Sequence, residues 1–240
     1  MTGIRFSGSA RFGGETVFGD LSLEAAPGRW TCLLGPSGVG KTTVLRLIAG
    51  LAEDSAFQGE IAATDGRPLA GRIAYMAQTD LLFPWLDVLG NVLLGARLRG
   101  EVPDRDRAAG IIRRVGLAEH ISKRPGALSG GMRQRAALAR TLMEDRPVIL
   151  LDEPFSALDA RTRAEMQELA AELLAGRTVM LVTHDPGEAA RLGHAIKVMR
   201  RDGLTDVAPP SSAPIRAYDD AGVFACQSDL MAMLREAEAA

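Results

Sequence analysis

Gly35-Pro36-Ser37-Gly38-Val39-Gly40-Lys41-Thr42-Thr43 is the stretch that decides how the chain is read. A short apolar run, Thr31-Cys32-Leu33-Leu34, precedes it, and Val44, Leu45, Leu47 and Ile48 follow at helical spacing. Strand, glycine-rich loop and helix is the order a phosphate-binding loop requires. Such a loop brings the main chain close to a polyphosphate and turns its N–H groups inward. The helix N-terminus adds partial positive charge. In that frame Lys41 bridges β- and γ-phosphates, and the Thr42 hydroxyl ligates Mg²⁺. A plain glycine-rich turn beside a lysine leaves the flanking strand and helix unexplained.

Composition bounds the rest. A chain of 240 residues buries a sizeable core as one domain, or as a core with a subdomain. Hydrophobic residues at 47% and charged residues at 24% are ordinary for a globular protein. The net charge of −2 excludes the global basic balance that marks a nucleic-acid binder. Cys32 and Cys226 show no metal-site or disulfide spacing, which fits a reducing compartment. No basic stretch followed by an apolar segment marks a secretory signal, and no run of about twenty apolar residues spans a membrane.

Residues from Ile4 to Glu24 read as strands broken by Gly13-Gly14 and Gly19-Asp20. Phe12, beside those glycines, is either a stacking face for a nucleotide base or a ring packed on the sheet. Phe57 to Ala63 and Arg72 to Met76 are short strand candidates. Gln78 is followed by Leu81-Leu82-Phe83-Pro84-Trp85-Leu86, unusually apolar for a loop, and Pro84 argues against a central strand. That segment is either a buried loop or a patch that docks a partner. From Val88 to Met143 the character turns helical, with Asn91 among Val88, Val92 and Leu93. Pro103-Asp104 starts a further helix that Gly116 ends. A helical stretch that interrupts an α/β pattern reads as an inserted subdomain, at about 86–145.

Three more motifs carry chemistry. Leu128-Ser129-Gly130-Gly131-Met132-Arg133-Gln134-Arg135 opens a helix, with Ser129 as its N-cap and a second anion site at its start. An ordinary capped helix explains the same residues when they are taken alone. Val148-Ile149-Leu150-Leu151 is a buried parallel strand ending in Asp152-Glu153, where α/β sheets bind ligands. There Asp152 holds Mg²⁺ through water, and Glu153 polarises an attacking water as general base. Val179 to Val182 is a further buried strand, with His184 just beyond its end, either a structural histidine or a donor to a γ-phosphate oxygen.

Together these motifs resemble the ATP-binding subunit of ABC transporters over residues 1 to 205. Gly35 to Thr43 matches the Walker A loop, Gln78 the Q-loop glutamine, and Leu128 to Gln134 the LSGGQ signature. Val148 to Glu153 matches Walker B with its catalytic glutamate, Ser156 to Asp159 the D-loop, and His184 the H-loop histidine. The signature departs from the commonest form at Met132, but Ser129, Gly130 and Gly131 act through hydroxyl and backbone groups. The resemblance implies an α/β P-loop NTPase (RecA-like) core with an antiparallel β subdomain and an inserted α-helical subdomain. It implies ATP and Mg²⁺ as ligands. ATP is held by Phe12, Gly35, Pro36, Ser37, Gly38, Gly40, Lys41, Thr42 and Thr43, with Ser129, Gly130, Gly131 and Asp159 also contributing. Mg²⁺ is held by Thr42, Gln78 and Asp152, and hydrolysis uses Glu153, His184 and Gln78.

A core half-site and a signature half-site that both engage one γ-phosphate imply two chains facing head-to-tail, most simply a homodimer. The family reading is an ATPase on the cytoplasmic face of the inner or plasma membrane. It is held there by permease subunits and served by a solute-binding protein. Phe83-Pro84-Trp85 with Val88, Asn91 and Val92 resembles the importer subgroup for nitrate, sulfonates, taurine, and thiamine or its hydroxymethylpyrimidine precursor, with a lean toward the last branch. The rival is a soluble, non-transport ABC ATPase. DNA-repair members of that class carry coiled-coil insertions or zinc-binding cysteines, which are absent here. Residues 206–240 are expected to be a short extension whose helix, marked by Leu230, Met233 and Leu234, packs on the core and regulates nothing. Leu82, Phe83 and Trp85 are expected to receive a short helix of a membrane subunit.

Overall fold

The structure, a computed structural model, describes residues 1–52, 55–200 and 203–239. In chain order the elements are β1 (Ile4–Phe12), β2 (Glu15–Ala25), β3 (Trp30–Leu34), α1 (Lys41–Ala49), β4 (Ser55–Ala63), β5 (Ile73–Met76), α2 (Val88–Val92), α3 (Leu94–Leu98) and α4 (Arg105–Arg114). There follow α5 (Gly130–Met143), β6 (Val148–Asp152), α6 (Ala160–Leu173), β7 (Thr178–Val182), α7 (Pro186–Leu192), β8 (Ala195–Arg200), β9 (Gly203–Val207) and α8 (Ala221–Ala239). The chain divides into two compact units, residues 1–73, 147–152 and 176–240 in one, 74–146 and 153–175 in the other.

The first unit holds an antiparallel sheet in the order β2-β1-β4. Gly13-Gly14 turns the β1–β2 hairpin, as its sequence suggests. Gly19-Asp20, by contrast, lies inside β2 rather than ending a strand. Gly8 pairs with Leu21 but Ala10 with Phe18, so β2 accommodates an extra residue there as a bulge. Within the first unit the second sheet runs β6-β7-β3-β8-β9, parallel from β6 to β8, with β9 antiparallel at its end. All five residues of each of β3, β6 and β7 are buried. Parallel strands covered on both faces require such unbroken apolar runs. Because these three strands are adjacent and parallel, the loops leaving their C-terminal ends emerge along one edge of the sheet. Burial pushes the Cys32 thiol in β3 far above its ordinary pKa, which leaves it a small apolar residue of the core.

Helix α1 packs on β6 and β7, α7 on β3, and α8 on α7 and β8. The C-terminal helix is 19 residues long, longer than its sequence suggests, and it buries Val223, Cys226 and Leu230. Met233 and Leu234 are only partly covered. The segment before it is anchored by Arg216, which is 3% exposed. Its guanidinium donates to the carbonyls of Ala190 and Gly193 at the end of α7 (2.8 Å each), of Ser212 (2.8 Å) and of Pro210 (2.9 Å). Arg191 returns the contact by donating Nε to the Arg216 carbonyl at 2.8 Å, and it lies 3.7 Å over the Tyr218 ring.

The second unit is helical, with α2, α4 and α6 each packed on α5. Helix α5 is rich in strong helix formers and buries Ala136 to Ala139 and Leu142. Asp104 caps α4 by accepting the Arg107 N–H at 2.9 Å, the start that Pro103-Asp104 announces.

Candidate functional site

The candidate residues fall into two groups, one on each unit. On the first, the loop from β3 to α1 curls so that Lys41 Nζ donates to the carbonyls of Gly35 and Pro36, 2.7 Å each. Gly40 opens α1 at φ 107°, and a Cβ there would stand 2.9 Å from the Phe18 ring and 3.0 Å from Val17, so both conformation and space demand glycine. Ser37 and Gly38 are exposed at the loop crest, and Thr43 is half-buried in the first turn. The Thr42 hydroxyl donates to Asp152 Oδ1 at 3.2 Å, and Asp152, at the end of β6, is 1% exposed. Two residues 110 positions apart thus meet, and their hard oxygen donors fit Mg²⁺, which takes one or two protein ligands and completes its shell with phosphate and water. Among the described residues no group of three or more His, Cys, Asp or Glu forms a dedicated metal cage.

His184 is exposed beyond β7 on a turn held from both sides. Thr183 Oγ1 donates to Glu188 at 2.7 Å and accepts the Asp185 N–H at 3.0 Å. The Asp185 carboxylate caps α7 through the Gly187 N–H at 2.8 Å. Phe12 closes β1 with its ring 59% exposed, on the surface rather than packed on the sheet.

On the second unit, Gln78 Nε2 donates to Glu153 Oε2 at 3.4 Å. Glu153 adopts φ 49°, a left-handed backbone uncommon outside glycine and found disproportionately at functional sites. Asp152 and Glu153, neighbours in sequence, belong to different units. Ser129 caps α5 by accepting the Met132 N–H at 3.3 Å, and Ser129 and Gly130 are exposed at its start. A Cβ on Gly131 would lie 3.2 Å from the Ala157 carbonyl. Asp159 caps α6, and the Thr162 N–H that it accepts at 3.0 Å holds its carboxyl below the ordinary pKa.

Four residues of this unit have positions that no local sequence signal announces. Arg140 donates to the carbonyls of Asp80 (2.8 Å) and Leu81 (2.7 Å), and Arg133 Nε meets the Asp80 carboxylate at 3.0 Å. Seven residues apart, two turns of α5, these arginines tie the segment after Gln78 to the helix that Ser129 caps. Asn91, fully buried, accepts the Phe83 N–H at 2.7 Å and donates to the carbonyls of Phe83, Leu86 and Asp87 at 3.0–3.2 Å. Gln134 is the fourth and is taken up below. Within the loop that Asn91 pins, Leu82 is buried. Phe83 and Trp85 instead lie on the surface, Trp85 at 64% exposure, their rings edge to face at 5.0 Å. The internal-core explanation therefore holds for Leu82 and fails for Trp85. Trp85 borders a cavity of about 380 Å³ lined also by Arg97, Arg105 and Arg124.

Comparison with known proteins gives a consistent result. The ABC transporter family model matches residues 18–156. An aliphatic sulfonates import ATP-binding protein, SsuB 1, of Rhodococcus jostii is 43% identical over 231 residues, 95% of this chain and 91% of that protein. An uncharacterized ABC transporter ATP-binding protein of Haemophilus influenzae is 44% identical over 230 residues, 93% of this chain and 94% of its own length. Among solved structures, the dimeric bacterial ABC transporter cassette MJ0796 superposes with a TM-score of 0.74 at 28% identity, covering 89% of this chain and 99% of that one. A post-hydrolysis form of the same cassette, bound to ADP and Pi, superposes equally well.

Proposed function

Because this chain belongs to the ABC transporter family and is one of its ATPases, we propose that it is the ATP-hydrolysing subunit of a membrane importer for a small solute, a sulfonate foremost. The observation that carries the hydrolytic reading is the Thr42–Asp152 contact beside the Lys41 loop. Lys41 and the N–H groups of Gly35 to Thr43 hold the β- and γ-phosphates, and Phe12 stacks on the base. Thr42, Asp152 and Gln78 hold Mg²⁺, which when bound neutralises charge on the transferring phosphate. Glu153 takes the proton of the attacking water, and His184 donates to a γ-phosphate oxygen. Ser129, Gly130, Gly131 and Asp159 come from a second copy of the chain, and the dimer closes on ATP and opens after hydrolysis. Lys41→Ala removes a charge-assisted phosphate contact of about 1.5–3 kcal/mol. ATP affinity is expected to fall roughly tenfold to over a hundredfold in a fluorescent-nucleotide titration; unchanged affinity would remove Lys41 from the phosphate site.

The exposed Phe83–Trp85 pair supports a permease partner at the cytoplasmic side of the membrane. No described helix of this chain is long and apolar enough to cross a membrane itself. The SsuB relative favours a sulfonate over the thiamine-precursor branch toward which the loop motif leans. The exposed pair favours the transport reading over a non-transport ABC ATPase. Trp85→Ala, a surface truncation, is expected to shift the subunit's melting temperature by less than about 2 °C. It is also expected to abolish co-purification with co-expressed permease subunits, and with it sulfonate-stimulated ATP hydrolysis in proteoliposomes. Normal assembly and coupling of the Trp85→Ala variant would sink the docking role.

A further inference from the structure

Gln134 lies one turn beyond Gly130 on α5, is 6% exposed, and uses both ends of its amide. Nε2 donates to the Glu153 carbonyl at 2.8 Å and to Ser156 Oγ at 3.3 Å, and Oε1 accepts the Ala157 N–H at 2.8 Å. The Glu153 carbonyl also accepts from Ser156 Oγ at 3.0 Å and from the Ser156 N–H at 3.3 Å. Donors from two segments thus converge on one carbonyl, that of a non-glycine residue held at φ 49°. A backbone so strained persists only where its surroundings over-determine it. Gln134 is the one among these donors that comes from outside the turn itself, from the helix whose first residues are the signature.

We propose that Gln134 is a positioning residue for Glu153. It fixes the left-handed turn so that the Glu153 carboxylate keeps one orientation, the one in which Gln78 Nε2 reaches Oε2. The proposal rests on Glu153 being the general base. It makes the signature helix a support of the base as well as an anion site: a shift of the α5 start moves Gln134, and Gln134 moves the carbonyl of the residue that activates water. A brace that only stabilised the D-loop turn would leave the chemical step alone.

The test is a double-mutant cycle on the purified full-length protein, reading kcat, KM and ATP affinity for Q134L and Q134E, each with Glu153 and with E153Q. Q134L removes all three hydrogen bonds at similar volume. Q134E keeps an acceptor for Ala157 and loses the donor to the Glu153 carbonyl. The expected result is that each lowers kcat about tenfold, with KM and ATP affinity changed by less than about twofold, and that neither lowers the residual turnover of E153Q further. An equal fall in the E153Q background, or an unchanged kcat in folded Q134L and Q134E, overturns the proposal. So does failure of both variants to fold, which would make Gln134 a structural brace. If E153Q itself turns over normally, it is the general-base reading that has failed.

Discussion

Glu153→Gln is expected to lower ATP turnover by about a hundredfold or more, because a positioned general base contributes that much or beyond. The side chain keeps its size and its reach toward Gln78, so the turn and the nucleotide site survive the change. What is lost is the ability to take a proton from water as it attacks the γ-phosphate. Nucleotide binding depends on the loop from Gly35 to Thr43 and on the Thr42–Asp152 pair, none of which the substitution touches. ATP therefore still binds, and without hydrolysis the closed dimer accumulates, visible as a shift to twice the subunit mass in size-exclusion chromatography with ATP and Mg²⁺. Wild-type turnover in the purified protein would take Glu153 out of the base role. Slow turnover with no dimer would detach the signature residues from the proposed second half-site.

The second large effect is on stability. Arg216→Ala deletes a buried guanidinium, leaves the buried carbonyls of Ala190 and Gly193 without their donor, and removes the contacts to Pro210 and Ser212 as well. A buried acceptor left unpaired costs about 1–3 kcal/mol, so the two buried carbonyls together cost about 2–6 kcal/mol. For a protein of this size each kcal/mol lowers the melting temperature by about 2–4 °C, so a fall of roughly 4–24 °C is expected in differential scanning calorimetry. Lysine restores the charge but offers no planar fork to four separate carbonyls, so Arg216→Lys is expected to recover only a minor part. A change below about 2 °C for the alanine variant would mean that α8 is held by its own apolar contacts, through Val223, Cys226 and Leu230, and that the arginine adds little.

The parts of the fold written in sequence are those whose causes are local. Trp30 to Leu34, Val148 to Leu151 and Thr178 to Val182 are unbroken apolar or branched runs, and each is a buried parallel strand. Ser129, Asp104 and Asp159 each stand where a helix begins, because a side-chain oxygen there satisfies a first-turn N–H. The Thr42–Asp152 contact is readable because each residue sits in a motif with a fixed place on the strand–loop–helix unit. The length of α8 is not readable, since its buried positions are the small or unremarkable Val223, Cys226 and Leu230 among alanines. Nor is the fate of Gly19-Asp20, where pairing with β1 overrides a turn-prone dipeptide by absorbing it as a bulge. Gln134, Asn91, Arg140 and Arg216 escape for a common reason. Each acts chiefly by hydrogen-bonding main-chain groups, and main-chain groups leave no mark on sequence.

The Asn91 side chain has a thermodynamic meaning for any encounter at the loop that it pins. Four hydrogen bonds from one buried amide fix the main chain at Phe83, Leu86 and Asp87, so the backbone that carries the two aromatic rings is set before anything arrives. Immobilising a side chain on association costs about 0.5–1.5 kcal/mol, and loops add to this. A main chain already set spares the complex the loop part of that cost, and each kcal/mol spared is a factor of about five in affinity. That entropy is surrendered once, when the subunit folds, rather than at each encounter.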